Sequence, residues 1–128
     1  MNLHFVDLIG TPYESGAKDC LWTAKRALER IFEDFDQVEL PGTAEEEEAA
    51  LAAVDSNATR WSVIGSTAAL ATEQGDLIHL RLPDGHAGLV VVIDRVGRIG
   101  ITSTRDRGVH TIPLRRLAGV VAVLRRRA

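Results

Sequence analysis

From Gly75 to Leu124 the chain alternates apolar, β-prone runs with short turns, and this constrains the fold more than any other feature. Leu77-Ile78-His79-Leu80-Arg81-Leu82 reads as a strand, and Pro83-Asp84-Gly85 as a turn. His86 to Ile93 follows, with the continuous apolar stretch Leu89-Val90-Val91-Val92-Ile93 of a central strand. Asp94 to Gly97 turns again, Ile99 to Thr104 is a third strand, and Arg105-Asp106-Arg107-Gly108 is another turn. Val109 to Ile112 is short, because Pro113 lacks the N–H that a long central strand needs. Leu114 to Leu117 fits a helical turn, and Val120 to Leu124 closes the sheet. Connections this short join antiparallel neighbours.

The N-terminal part has a different period. Leu21, Ala24, Leu28, Ile31 and Phe35 follow steps of three and four, one face of a helix running from Cys20 to Phe35. Asp19 stands at its N-cap, where a carboxylate accepts from the first free N–H groups. Pro41-Gly42 is a break. Thr43-x-x-Glu46 then forms a capping box for a second helix through Val54. Glu45 to Glu48 fan around that helix start, which is the pattern of a solvated cap and not of a metal site. His4 to Ile9 fits a helical turn or an entry strand, Arg60 to Gly65 a strand or a loop, and Ser66 to Thr72 a short helical piece. Trp22 and Trp61 read as packing residues. Helices first and strands after make an α+β chain. The expected form is N-terminal helices packed on a C-terminal antiparallel sheet of about five strands, as one domain over residues 1–128.

Composition removes several classes of function. The net charge of −3 gives no global field for nucleic acid or an anionic membrane. The arginines at 115, 116, 125, 126 and 127 read as a solvated end. No apolar run approaches the ~18 residues of a membrane span. No basic-then-apolar leader is visible after Met1, so synthesis in the cytoplasm is expected. Neither H-x-x-x-H nor C-x-x-C occurs, so no metal is expected, and no phosphate loop suggests a nucleotide cofactor.

One residue remains with chemistry to offer. The loop Gly10 to Lys18 ends at Asp19-Cys20, which places the single cysteine at a helix N-terminus. Unpaired N–H groups and the helix dipole stabilise a thiolate there. A nucleophilic thiolate needs a base. Of the four histidines, His86 stands out because it follows a turn and opens the central strand. His4 is unconstrained, His79 faces solvent or core, and His110 sits on a short strand. On pattern alone a Cys20/His86 pair competes with a buried, inert thiol.

Gly10-Thr11-Pro12-Tyr13, Asp19-Cys20, Gly75-Asp76-Leu77-Ile78 and Gly85-His86-Ala87-Gly88-Leu89-Val90 together resemble the NlpC-type cell-wall cysteine peptidases, which have a papain-like fold. The helix after Cys20, Trp61 and the run Arg105 to Val109 look most like the branch found in phage tails and tail-like particles. The resemblance implies Cys20 as nucleophile, His86 as general base, and Tyr13 beside the cysteine, holding the oxyanion or substrate. It implies hydrolysis of peptidoglycan stem peptides next to a D-glutamyl residue, without a cofactor. It also implies incorporation into a virion or tail-like particle, with that particle's proteins as partners.

The chain departs from the family at the third catalytic position. Members carry a polar residue on the strand after H-x-G that orients the imidazole. Alignment puts that role at Gly100 or Ile101, and neither can fill it. Ser103, which shares the face of Ile101, is a weak substitute. The loop Ser15-Gly16-Ala17-Lys18 and the residues Leu21-Trp22-Thr23 also differ from the family pattern. Two readings follow: a cysteine peptidase, or a weak or inactive tail-tip component that keeps the fold. An acyltransferase is a third, but no apolar insertion is present to hold a lipid.

Overall fold

The computed structural model describes residues 5–14, 17–32, 61–83, 85 and 87–126. The second helix expected from Thr43 lies outside the described residues. Within them the chain is α+β. One α-helix, α1 (Cys20–Ile31), packs on six strands: β1 (Trp61–Gly65), β2 (Leu77–Arg81), β3 (Ala87–Asp94), β4 (Ile99–Thr104), β5 (Gly108–Pro113) and β6 (Val120–Arg126). The sheet order is β1-β6-β2-β3-β4-β5, and every neighbouring pair is antiparallel. The sixth strand beyond the expected five is β1, the stretch that reads equally as strand or loop. Gly65 there shifts the register against β6, at a φ of 156°. Strand β6 does not close an edge but lies between β1 and β2.

The alternation of each strand sorts its residues onto two faces. Leu77, Leu89, Val91, Ile101, Val109 and Leu124 face α1, together with Leu21, Ala24 and Leu28 from the helix. Ile78, Leu80, Val90, Val92 and Val123 form a second cluster on the opposite face, closed by Ala71 and Leu114. Two short 3-10 turns, Ala68–Leu70 and Leu114–Arg116, flank this second cluster. Arg98 donates to the carbonyl of Ala68 at 2.8 Å, which helps fasten that layer. Covered on both sides, β3 is buried from Leu89 to Val92, which accounts for its unbroken apolar run. Each such side chain contributes about 1.5–3 kcal/mol by leaving water.

Helix α1 begins and ends for local reasons. Asp19 caps it, its Oδ1 accepting from Trp22 N–H at 3.0 Å. The helix stops short of the expected Phe35, because Phe32 takes an extended backbone. The Phe32 ring then lies against Gly75 and beneath the Arg126 guanidinium, 4.6 Å from its centroid. A Cβ on Gly75 would come within 2.5 Å of that ring. The segment before the loop resolves as a helical turn, with Phe5 and Leu8 buried against α1 and Asp7 paired to Arg30.

The Gly75-Asp76 pair ties three elements together. Gly75 N–H donates to Val92 O, and Val92 N–H to Asp76 O. The buried Asp76 carboxylate accepts from Glu73 N–H and, through both oxygens, from Arg125 at 3.0 and 2.8 Å. Arg125 is therefore not part of a solvated end, although Arg115 and Arg116 are exposed as expected. Removing one partner of a buried ion pair strands the other. Arg125 keeps some contact with water, at 31% side-chain exposure, so Asp76→Ala is expected to cost about 2–3 kcal/mol, below the cost for a fully buried pair. Urea unfolding should show this as a lower midpoint at unchanged slope. A loss under about 0.5 kcal/mol, the scale of a neutral surface change, would contradict it.

Candidate functional site

The two ends of α1 lie at opposite ends of the sheet. Phe32, at its C-terminus, touches Gly75 before β2 and Arg126 at the end of β6. Cys20, at its N-terminus, belongs to the other end, where β2 finishes, β3 begins, β4 finishes and β5 begins. Contacts of α1 with β3 and β4 cover the distance between. Cys20 is buried, at 7% exposure, in the first turn of a capped helix, where N–H groups have no carbonyl four residues back.

The loop before α1 is held to the sheet by backbone bonds. Gly10 N–H donates to Val109 O, and Val109 N–H to Thr11 O, both at 2.8 Å. Gly108 makes this approach possible. Its φ is +67°, and a Cβ there would stand 2.3 Å from Thr11 O. Glu14 and Lys18 then bridge, drawing the loop back toward Asp19.

This docking brings Tyr13 to the head of the helix and to the β4–β5 turn at once. Burial raises the Tyr13 phenol above its usual range, a hydrogen bond from Arg105 lowers it, and the charges of Cys20 and Asp19 raise it further. The phenol therefore shares one neighbourhood with the thiol, the capping carboxylate and the guanidinium. Asp19 is almost wholly buried. Its Oδ1 is used by the cap, and its Oδ2 has no hydrogen-bond partner among the described residues.

Ser103 faces α1, since it sits two residues from Ile101 and opposite Val109. It is buried, and its Oγ has no hydrogen-bond partner among the described residues. The paired register of β3 with β4 runs from Asp94↔Ile99 to Val91↔Ile101. Past that point the Thr102 hydroxyl donates to Leu89 O at 2.6 Å. His79 is buried on the helix-side face, and His110 is buried with Nδ1 2.9 Å from Gly108 O. His86 lies outside the described residues; it is the chain neighbour of Ala87, which opens β3. Among the described residues no group of three His, Cys, Asp or Glu side chains is arranged to hold a metal ion.

Cys20, Asp19 and Tyr13 are thus brought together, and Ser103 joins the face that α1 covers. Arg105 was missed at the sequence level, where it is one residue of a polar turn. Its proximity to Tyr13 depends on the pairing of Gly10 and Thr11 with Val109, and no local signal carries that pairing. Trp22 packs against the core as expected, with Arg26 over its ring. No protein-family model matches the chain, and no curated protein matches it either.

Tyr13 is the only tyrosine, so its ionisation can be followed by tyrosinate absorbance without ambiguity. It should titrate above 10. Cys20→Ser, which removes a neighbouring negative charge at high pH, should lower the midpoint, and Arg105→Gln should raise it. Because the folded-state value is raised, Tyr13 favours folding below the unfolded value, and that contribution fades as pH climbs through the folded one. Midpoints that ignore both substitutions would place Tyr13 away from these groups.

Proposed function

We propose that this chain is a papain-like cysteine peptidase of peptidoglycan stem peptides, carried in a phage tail or tail-like particle. Cys20 is its nucleophile and His86 its general base. The observation that carries the reading is the position of Cys20. It sits in the first turn of α1, capped by Asp19 and faced by Tyr13, at the sheet end where β3 begins. His86 immediately precedes that strand in sequence. The order of the four motifs supports the same reading.

The chemistry follows from those groups. The imidazole of His86 takes the thiol proton, and the helix N-terminus favours the resulting thiolate. The thiolate attacks the scissile carbonyl, and first-turn N–H groups stabilise the oxyanion. The imidazolium returns its proton to the leaving amine, leaving a thioester on Cys20. Water, deprotonated by the same imidazole, attacks the thioester and releases the acid and the free thiol. Tyr13, kept protonated by its raised pKa, can donate a hydrogen bond at the reacting carbonyl. Ser103 is the polar group on β4 that would orient the imidazole, and a hydroxyl does this less firmly than a second imidazole.

The second reading, a tail-tip component of little activity, draws on the same weakness: Gly100 and Ile101 offer no polar side chain, and Ser103 is short. The decisive experiment incubates the protein with peptidoglycan fragments and measures new amine and carboxyl ends. Cys20→Ala should lose about a thousandfold or more, and His86→Ala about a hundredfold or more. If the wild type produces no new ends, even in its particle, the peptidase reading fails. Particles bearing Cys20→Ala that assemble and infect normally would then favour the tail-tip component.

A further inference from the structure

The end of the sheet opposite Cys20 carries several exposed arginines. Phe32 and Gly75 mark this end, and the Gln74 side chain donates to Ile93 O there at 2.9 Å. Strand β3 leaves it through the turn Asp94 to Gly97, and β4 starts from it. Asp94 Oδ1 accepts from the N–H groups of Val96 and Gly97, both at 3.0 Å, which fixes the turn and engages the carboxylate with its backbone. Val96 stands at the tip, 88% exposed, beside the exposed Arg95. The start of β4 pairs with the end of β5, Ile99 with Pro113, and Leu114 N–H donates to Arg98 O at 2.9 Å. The 3-10 turn Leu114–Arg116 therefore lies beside the hairpin turn, with Leu114 buried and Arg115 and Arg116 exposed. Among the described residues no carboxylate forms an ion pair with Arg95, Arg115 or Arg116, whereas Arg26, Arg30 and Arg125 each have one.

We infer that this end is a docking surface for an anionic lipid membrane, with Val96 entering the headgroup layer and Arg95, Arg115 and Arg116 meeting its phosphates. The inference goes beyond the peptidase reading and stands apart from it. The whole-chain charge of −3 does not oppose it, because attraction to a charged surface is local and decays within a Debye length of about 8–10 Å. Guanidinium forks match phosphate oxygens. Arginines alone would suit a soluble polyanion equally well, and Val96 decides between the two. An apolar side chain held out at a fixed tip gains nothing from a hydrated polymer, but it leaves water on entering a headgroup layer. No helix among the described residues is long and apolar enough to cross a membrane, and a peripheral contact needs none. Docked by this end, the chain would hold Cys20 on the side away from the bilayer.

The test is co-sedimentation of the whole protein with vesicles of phosphatidylglycerol and phosphatidylcholine in equal parts, set against vesicles of phosphatidylcholine alone. The wild type should bind the anionic vesicles only, and added salt should weaken that binding. The double variant Arg115→Gln/Arg116→Gln should bind about twenty-fivefold more weakly, at about fivefold for each charge near the surface. Val96→Asp should lose about tenfold, and Val96→Trp should bind more tightly. Arg107→Gln, in the β4–β5 turn at the other end of the sheet, should leave binding unchanged. All four side chains are exposed, so these variants should fold as the wild type does. No preference for anionic vesicles, unchanged binding in the double arginine variant, or an equal fall in Arg107→Gln would overturn the inference. Binding to soluble polyphosphate, with Val96→Asp still binding vesicles as the wild type does, would overturn it in favour of a polyanion site. Vesicle binding that appears only when Glu45 to Glu48 are replaced by glutamine would overturn it by assigning the arginines to that acidic run.

Discussion

The site depends on two backbone hydrogen bonds, Gly10 N–H to Val109 O and Val109 N–H to Thr11 O. They attach the loop before α1 to the far strand of the sheet, about a hundred residues later in the chain. Closing so long a loop costs entropy, although that cost grows only slowly with length. The contact is possible because Gly108 has no side chain where Thr11 O sits. The burial of Phe5 and Leu8 under α1 supports it from the other side of the loop. With this pairing in place, Tyr13 meets Cys20, Asp19 and Arg105. Without it the cysteine would head a helix with no wall opposite.

The rest of the fold keeps α1 in position. The helix crosses β3 and β4, and its length carries Cys20 to one end of the sheet while Phe32 reaches the other. Gly75 and Asp76 do structural work at that second end. Gly75 leaves room for Phe32, and Asp76 gathers Arg125, Glu73 and the backbone of Val92. Two motifs that read alike as part of one resemblance thus do different jobs. Gly75-Asp76 fastens β2 and β6, while Asp19 caps α1 at Cys20.

Much of the α+β architecture is legible because its signals are local. Asp19 caps the helix as its position suggests, and the steps of three and four from Leu21 to Ile31 give the buried stripe. Pro113 does end an edge strand, and Leu89 to Val92 do form the interior of a central one. Ser103 shares the helix-side face of Ile101, as the two-residue period of a strand requires. The elements that were harder to read have long-range causes. Strand β1 exists because β6 pairs with it, and β6 lies inside the sheet because it also pairs with β2. Arg125 looks like one of a basic run until its Nε and Nη2 are seen to donate to the two oxygens of Asp76.

The sequence by itself determined the class of the fold, the capped helix start at Cys20, the antiparallel meander and the alternation of its strands. Hydrophobic period, capping chemistry and turn residues act over a few positions, so they can be read in order along the chain. Only the tertiary structure decided the strand order, the partner of Arg125 and the meeting of Tyr13 with Cys20 and Arg105. Those depend on backbone pairings and ion pairs between residues far apart in sequence, whose energies exist only once the loop and the last strand have been brought onto the sheet.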